Sequence, residues 1–106
     1  MKKRKPKIVA LKGKERYQRL LAGEPETAGM KAGLVVLRPG ESVGEHTTDA
    51  KEEAIVVLEG IAEVRVDDTP LFKAKKNNLI YIPPYTAHDV RNISRRNLKY
   101  VYIVKE

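Results

Sequence analysis

Gly44 to Gly60 reads GEHTTDAKEEAIVVLEG. It contains His46, one of two histidines in the chain, then two threonines, Asp49 and the adjacent acids Glu52 and Glu53. An unbroken apolar run, Ala54 to Leu58, follows, and Gly60 closes it after Glu59. Five apolar residues bounded by a glycine have the length of a buried strand rather than of a helix. A polar loop leading into a core strand is one reading of the whole stretch. The other is half of a metal site, because an imidazole and a carboxylate stand together at the mouth of the strand.

Outward from this stretch the same grammar repeats. LVVL (Leu34 to Leu37) stops at Arg38-Pro39-Gly40, IAEVRV (Ile61 to Val66) alternates and stops at Asp67-Asp68-Thr69-Pro70, and LIYI (Leu79 to Ile82) stops at Pro83-Pro84. KYVYIV (Lys99 to Val104) lies at the end of the chain. Short period-two segments punctuated every eight to twelve residues or so predict an all-β sandwich or barrel of antiparallel strands. Glu15 to Ala22 (ERYQRLLA) reads equally as a short helix or an edge strand. In the last segment Leu98, Tyr100, Tyr102 and Val104 share one face and Val101 and Ile103 the other, so both faces are expected to be covered. A second sheet can cover one of them and a partner subunit the other, which makes a homodimer the expected assembly.

The chain's 106 residues, 42% of them apolar, make one domain with a real core. With no cysteine, thiolate nucleophiles, thiolate zinc sites and disulfides are all absent. No signal peptide is visible, and the longest apolar runs, about five residues, fall far short of the roughly 20 a membrane helix needs. A cytoplasmic protein with no membrane association is expected. The high charge content, the missing cysteine and the single glutamine lean toward a thermophilic source.

The net charge of +7 is unevenly spread. Nine of the 21 Lys and Arg residues fall within residues 1 to 19, against one acid, Glu15, and the rest of the chain is near neutral. Residues 1–22 therefore read as a basic arm with a leading strand or short helix, and residues 23–106 as the barrel. A basic arm can touch phosphates, but this one has only Tyr17 as a stacking platform, so a solvated terminus is the simpler reading and a nucleic-acid partner is not expected.

The second histidine, His88, lies in NLIYIPPYTAHDVRN (Asn78 to Asn92), after a Pro-Pro turn and in phase with Val90 and Asn92. The sequence here resembles the cupins, small jelly-roll β-barrels. Their first motif, G-x5-H-x-H-x(3,4)-E-x6-G, is similar to Gly40, His46, Thr48, Glu53 and Gly60 at the same spacing. Their second, G-x5-P-x-G-x2-H-x3-N, is similar to Asn77, Pro83, Tyr85, His88 and Asn92. Three positions depart from the pattern. Thr48 replaces the usual second histidine, and Asn77 and Tyr85 replace glycines. Asparagine tolerates a left-handed backbone, whereas Tyr85 puts a bulky ring on a turn near the mouth.

The resemblance implies that His46, Glu53 and His88 converge inside the barrel on one divalent metal ion. Two imidazoles and a carboxylate suit a divalent transition metal and leave positions open for water or substrate. Alternation does not choose between the two acids, because Glu52 is in phase with one apolar set and Glu53 with the other; the motif spacing favours Glu53 inside. Thr48 is expected to orient a bound water or ligand. Asn92 reads as a residue capping a strand end. Tyr81, Tyr85, Tyr100 and Tyr102 read first as core or mouth packing, with Thr48 and Tyr85 the candidates for ligand contact. The alternative for the whole site is a polar lumen in which the histidines hydrogen-bond Glu53 and Asn92 without an ion.

The resemblance leaves three functions open. One is a metal-dependent isomerase or epimerase acting on a sugar or sugar phosphate, with Glu53 or His88 moving the proton. Another is a binding or sensor barrel that holds a small molecule without chemistry, which the missing second histidine favours. The last is an oxygenase on a small acid. Sequence alone leaves open whether the chain is an enzyme.

Overall fold

The computed structural model describes residues 3–67 and 69–106. Met1 and Lys2, at the start of the basic arm, and Asp68, in the turn signal of residues 67–70, lie outside the described residues. Nine strands and no helix are found among the described residues: β1 (Tyr17–Ala22), β2 (Lys31–Leu37), β3 (His46–Thr47), β4 (Glu52–Glu59), β5 (Ile61–Val66), β6 (Thr69–Lys75), β7 (Leu79–Ile82), β8 (Ala87–Asn92) and β9 (Leu98–Lys105). They form two sheets, β1-β2-β9-β4-β7 and β3-β8-β5-β6, with every pairing antiparallel. This is the expected all-β jelly-roll barrel. No helix is long and apolar enough to cross a membrane.

The apolar runs from Leu34 onward are strands because period two lets one face of each bury. Between the sheets lie Leu37, Ile55, Val57, Ala62, Val64, Ile82, Val90 and Leu98, all essentially without solvent contact. Burying each large aliphatic chain stabilises the fold by about 1.5–3 kcal/mol. The turns hold because they use residues that accept a left-handed backbone. Gly60 sits at φ 82° in the β4–β5 turn, where a Cβ would lie 2.7 Å from the Asn97 carbonyl oxygen. Asn77 takes φ 75°, the conformation expected of it as a glycine substitute. Asn92, fully buried, ties the closed end: its amide donates to the carbonyls of Leu37 and Arg96, and its oxygen accepts from the Ser94 backbone and hydroxyl.

Three elements refine the sequence reading. Of the two alternatives open for Glu15 to Ala22 the edge strand holds, over Tyr17–Ala22 only (β1), pairing with β2 through an irregularity between Arg19 and Leu21. TPLFKAK forms β6, which begins at Thr69 inside the expected Asp67–Pro70 turn signal, since pairing with β5 satisfies its backbone. The basic arm is also tethered. Arg4 pairs with Glu24 and Lys7 with Glu26, on the loop between β1 and β2. Val9 of the arm packs on the outer face of the larger sheet beside Leu20, Ala32, Leu34, Val101 and Ile103. Part of the outer cover predicted for β9 thus comes from the chain's own N-terminal segment.

Candidate metal centre

The two histidines stand on adjacent strands. His46 of β3 and His88 of β8 are direct partners in the ladder, and their ring centroids are 4.3 Å apart. Facing them from the other sheet is Glu53 of β4, which pairs with Ile82 on one side and Val104 on the other. Glu53 is 7% exposed and points inward. Glu52 points outward and accepts a hydrogen bond from the Tyr81 hydroxyl at 2.7 Å, which raises the phenol's pKa above its usual value.

Both imidazoles are held by the same local device. The His46 Nδ1 donates to the Gly44 carbonyl and the His88 Nδ1 to the Thr86 carbonyl, each at 3.0 Å and each two residues back along the chain. A carbonyl can only accept, so both rings carry a proton on Nδ1, and in the neutral form each leaves a lone pair on Nε2. Asp89 supports this arrangement by accepting from the Gly44 backbone N–H at 3.0 Å. It thereby fixes the loop that orients His46.

The donor set fits a divalent cation. The His88 Nε2 faces the Glu53 Oε1 at 2.9 Å, and the donor atoms of His46, Glu53 and His88 all lie within 4.8 Å of one another. A lone pair opposite a carboxylate requires a positive charge between them, either a proton or a metal ion. Without a metal ion, a proton on Nε2 makes this contact a hydrogen bond. Burial works against the charged His88 ring. The hydrogen bond to Glu53, the Thr86 carbonyl and the charges of Glu53 and Asp89 outweigh burial and raise the His88 pKa above its ordinary value.

Thr48 and Tyr85 are placed differently from these three. The Thr48 hydroxyl donates to the Pro83 carbonyl at 2.8 Å and accepts from the Thr86 backbone N–H at 3.1 Å. It lines the cavity, but its hydroxyl clamps the Pro83–Thr86 turn that carries His88. Tyr85 occupies that turn at φ 55° with its ring 78% exposed, outside the residues that line the cavity.

The cavity itself, about 430 Å³, opens beside the histidines. Besides His46, Thr48 and Glu53 it is lined by Val35, Val43, Val90 and Val104, by Tyr17, Tyr100 and Tyr102, and by Lys31, Lys51 and Asp49. Burial pushes the Tyr100 and Tyr102 phenols well above their usual pKa, so both are neutral donors at physiological pH. The lysines went unnoticed in the sequence, although Lys51 is in phase with Glu53 and Lys31 with Gly33, Val35 and Leu37. That phase places them on the inner face.

Comparison with known proteins agrees with this architecture. The Cupin domain profile matches residues 33–104. CurC of Streptomyces cyaneus, described as a polyketide synthase, is 31% identical over 111 residues, which span 96% of this chain and 71% of CurC. Protein SchB of Streptomyces halstedii is 37% identical over 71 residues, 64% of this chain, and the match spans about half of SchB, 51%. Among solved structures, a Cupin 2 conserved barrel domain protein from Salinispora arenicola superposes over 100% of this chain and 89% of its own, with a TM-score of 0.74 at 24% identity. With its two-motif spacing, its two-sheet barrel and this match over most of its length, the chain belongs to the cupin family.

Proposed function

We propose that this cupin holds a divalent metal ion through His46, Glu53 and His88 and fixes a small ligand in the adjoining cavity. The observation that carries the reading is the shared tautomer lock on two histidines that lie, with one buried carboxylate, within 4.8 Å of one another. Both rings would keep their Nδ1 hydrogen bonds on binding, so the backbone would orient the ligands in advance. The ion would supply Lewis acidity toward a carbonyl or other oxygen of the ligand. Val35, Val43, Val90 and Val104 would exclude water from the ligand's body. Tyr100 and Tyr102 would donate hydrogen bonds.

The finer reading is a metal-dependent isomerase or epimerase of a carbonyl compound. Glu53 is the carboxylate nearest the two histidines, and Glu53 or His88 would be the group to accept and return a proton there. A sugar phosphate has the required acidic position next to a carbonyl. So does a polyketide-type carbonyl compound, the class suggested by the description of CurC. A second reading, a barrel that holds its ligand without chemistry, is favoured by Thr48. Its hydroxyl is committed to the Pro83–Thr86 turn and supplies no fourth protein ligand.

Elemental analysis of protein purified after growth with added divalent metals tests the core of the proposal. One equivalent of metal is expected in the wild type, and much less in His46→Ala and His88→Ala. A wild type without stoichiometric metal, or variants that retain it, would overturn the assignment.

A further inference from the structure

Beside the metal-ligating triad, the cavity contains a second set of groups with a chemistry of its own. Tyr100 is 3% exposed and lines the cavity, yet its hydroxyl has no hydrogen-bond partner among the described residues. The hydroxyl is not closed off from solvent, so it is free to donate into the cavity. Lys31 and Lys51 also line the cavity, and neither forms an ion pair among the described residues. Lys31 pairs with Val104, which pairs in turn with Glu53, so the lysine and the acid sit on one rung, two strand spacings or about 10 Å apart. That gap admits a ligand atom between the lysine's reach and the metal-facing carboxylate.

One rung further in, Gly33 pairs with Tyr102, and the absence of a side chain at Gly33 makes room for an aromatic pair. A Cβ there would lie 2.6 Å from Tyr102 Cε2 and 2.7 Å from Tyr17 Cε1. The two rings therefore lie across the Gly33 backbone, stacked at 6.5 Å and 20°, with their hydroxyls 3.1 Å apart. They give the cavity a flat wall, and flat aromatic walls favour flat ligands.

Resting on the metal-centre reading, we propose that the cavity takes a small planar organic oxyanion, a conjugated carboxylate or enolate. Its body lies along the Tyr17–Tyr102 wall, and its charged oxygen receives the Tyr100 hydroxyl with Lys31 and Lys51 as counter-charges. Gly33 is a positioning residue that makes room for the wall.

Calorimetric titration with 2-naphthoate, its neutral analogue 2-naphthamide and the non-planar anion cyclohexanecarboxylate tests this on manganese-loaded and on chelator-treated protein. The wild type should bind 2-naphthoate about tenfold or more tightly than either comparison compound. Lys31→Gln should weaken 2-naphthoate by about tenfold and leave 2-naphthamide unchanged, Tyr100→Phe should weaken 2-naphthoate by about tenfold and 2-naphthamide by less, and both should leave metal content at the wild-type level. Gly33→Ala should erase the preference for the planar over the non-planar anion while the preference for acid over amide survives. Failure of 2-naphthoate to bind, equal affinity for acid and amide, or retention of full affinity in both Tyr100→Phe and Lys31→Gln would overturn the inference. Discrimination that persists in protein unable to hold manganese would sink the metal centre and leave the oxyanion site standing. Manganese binding without discrimination would do the reverse.

Discussion

The two ends of the barrel are made from the same strands and differ in what their inward positions carry. At the closed end β2 finishes at Leu37, β9 begins at Leu98 and β4 contributes Val57, all buried to 1% exposure or less. At the open end the same strands present Lys31, Val104 and Glu53, with Lys51 just before β4. Period-two alternation runs unbroken from one end to the other, so the backbone is indifferent to the change. The switch from aliphatic to ionisable side chains along β2 and β4 divides stability from chemistry. A buried carboxylate is costly without a partner, and only the open end provides two imidazoles.

That division can be broken from either side. Leu37→Ala at the closed end should cost about 3 kcal/mol or more in urea unfolding, because a fully buried leucine leaves a cavity. Metal affinity of the folded fraction should be unchanged, and a parallel loss of metal would deny that the ends are separable. His88→Ala should abolish stoichiometric metal and also lower apo stability by about 2 kcal/mol, since Glu53 loses its partner. Adding Glu53→Ala to that variant should restore part of the loss, and a purely additive double variant would mean that the pair is not coupled.

Two smaller effects sharpen the picture at the turn that carries His88. Thr48→Val removes the clamp on Pro83 and Thr86 and should cost about 1 kcal/mol in thermal or urea unfolding. If Thr48 instead served mainly as a ligand contact, stability would hold while ligand affinity fell. Tyr85→Gly relieves a bulky residue held at φ 55° and should stabilise the fold by about 1 kcal/mol. A loss of stability there would show that the exposed ring makes a contact worth more than the strain.

Much of this was legible in the residues. The strands over Ile61–Val66 and Leu79–Ile82 coincide with the apolar and alternating runs, because a strand's burial pattern is written directly in its side chains. Strand β6 was not legible, since exposed Phe72 and Lys73 hide the alternation and pairing with β5 decides the matter. Asn77 at φ 75° followed from asparagine's tolerance of that backbone, while Tyr85 at φ 55° is imposed on a residue that resists it. The pairing of His46 with Glu53 and His88 could be anticipated only through the spacing of two motifs. Alternation alone could not choose Glu53 over Glu52.

The order of residues by itself determined an all-β chain, its turns, its apolar strands and the supply of two imidazoles beside acids. Those properties are local, set by side-chain size, charge and the backbone freedom of Gly and Asn. Only the tertiary structure decided that Glu53 faces inward, that Thr48 clamps a turn, and that Lys31 and Tyr100 line one cavity with His46 and Glu53. Each of these depends on cross-strand register between segments distant in the chain, a relation that short-range pattern does not encode.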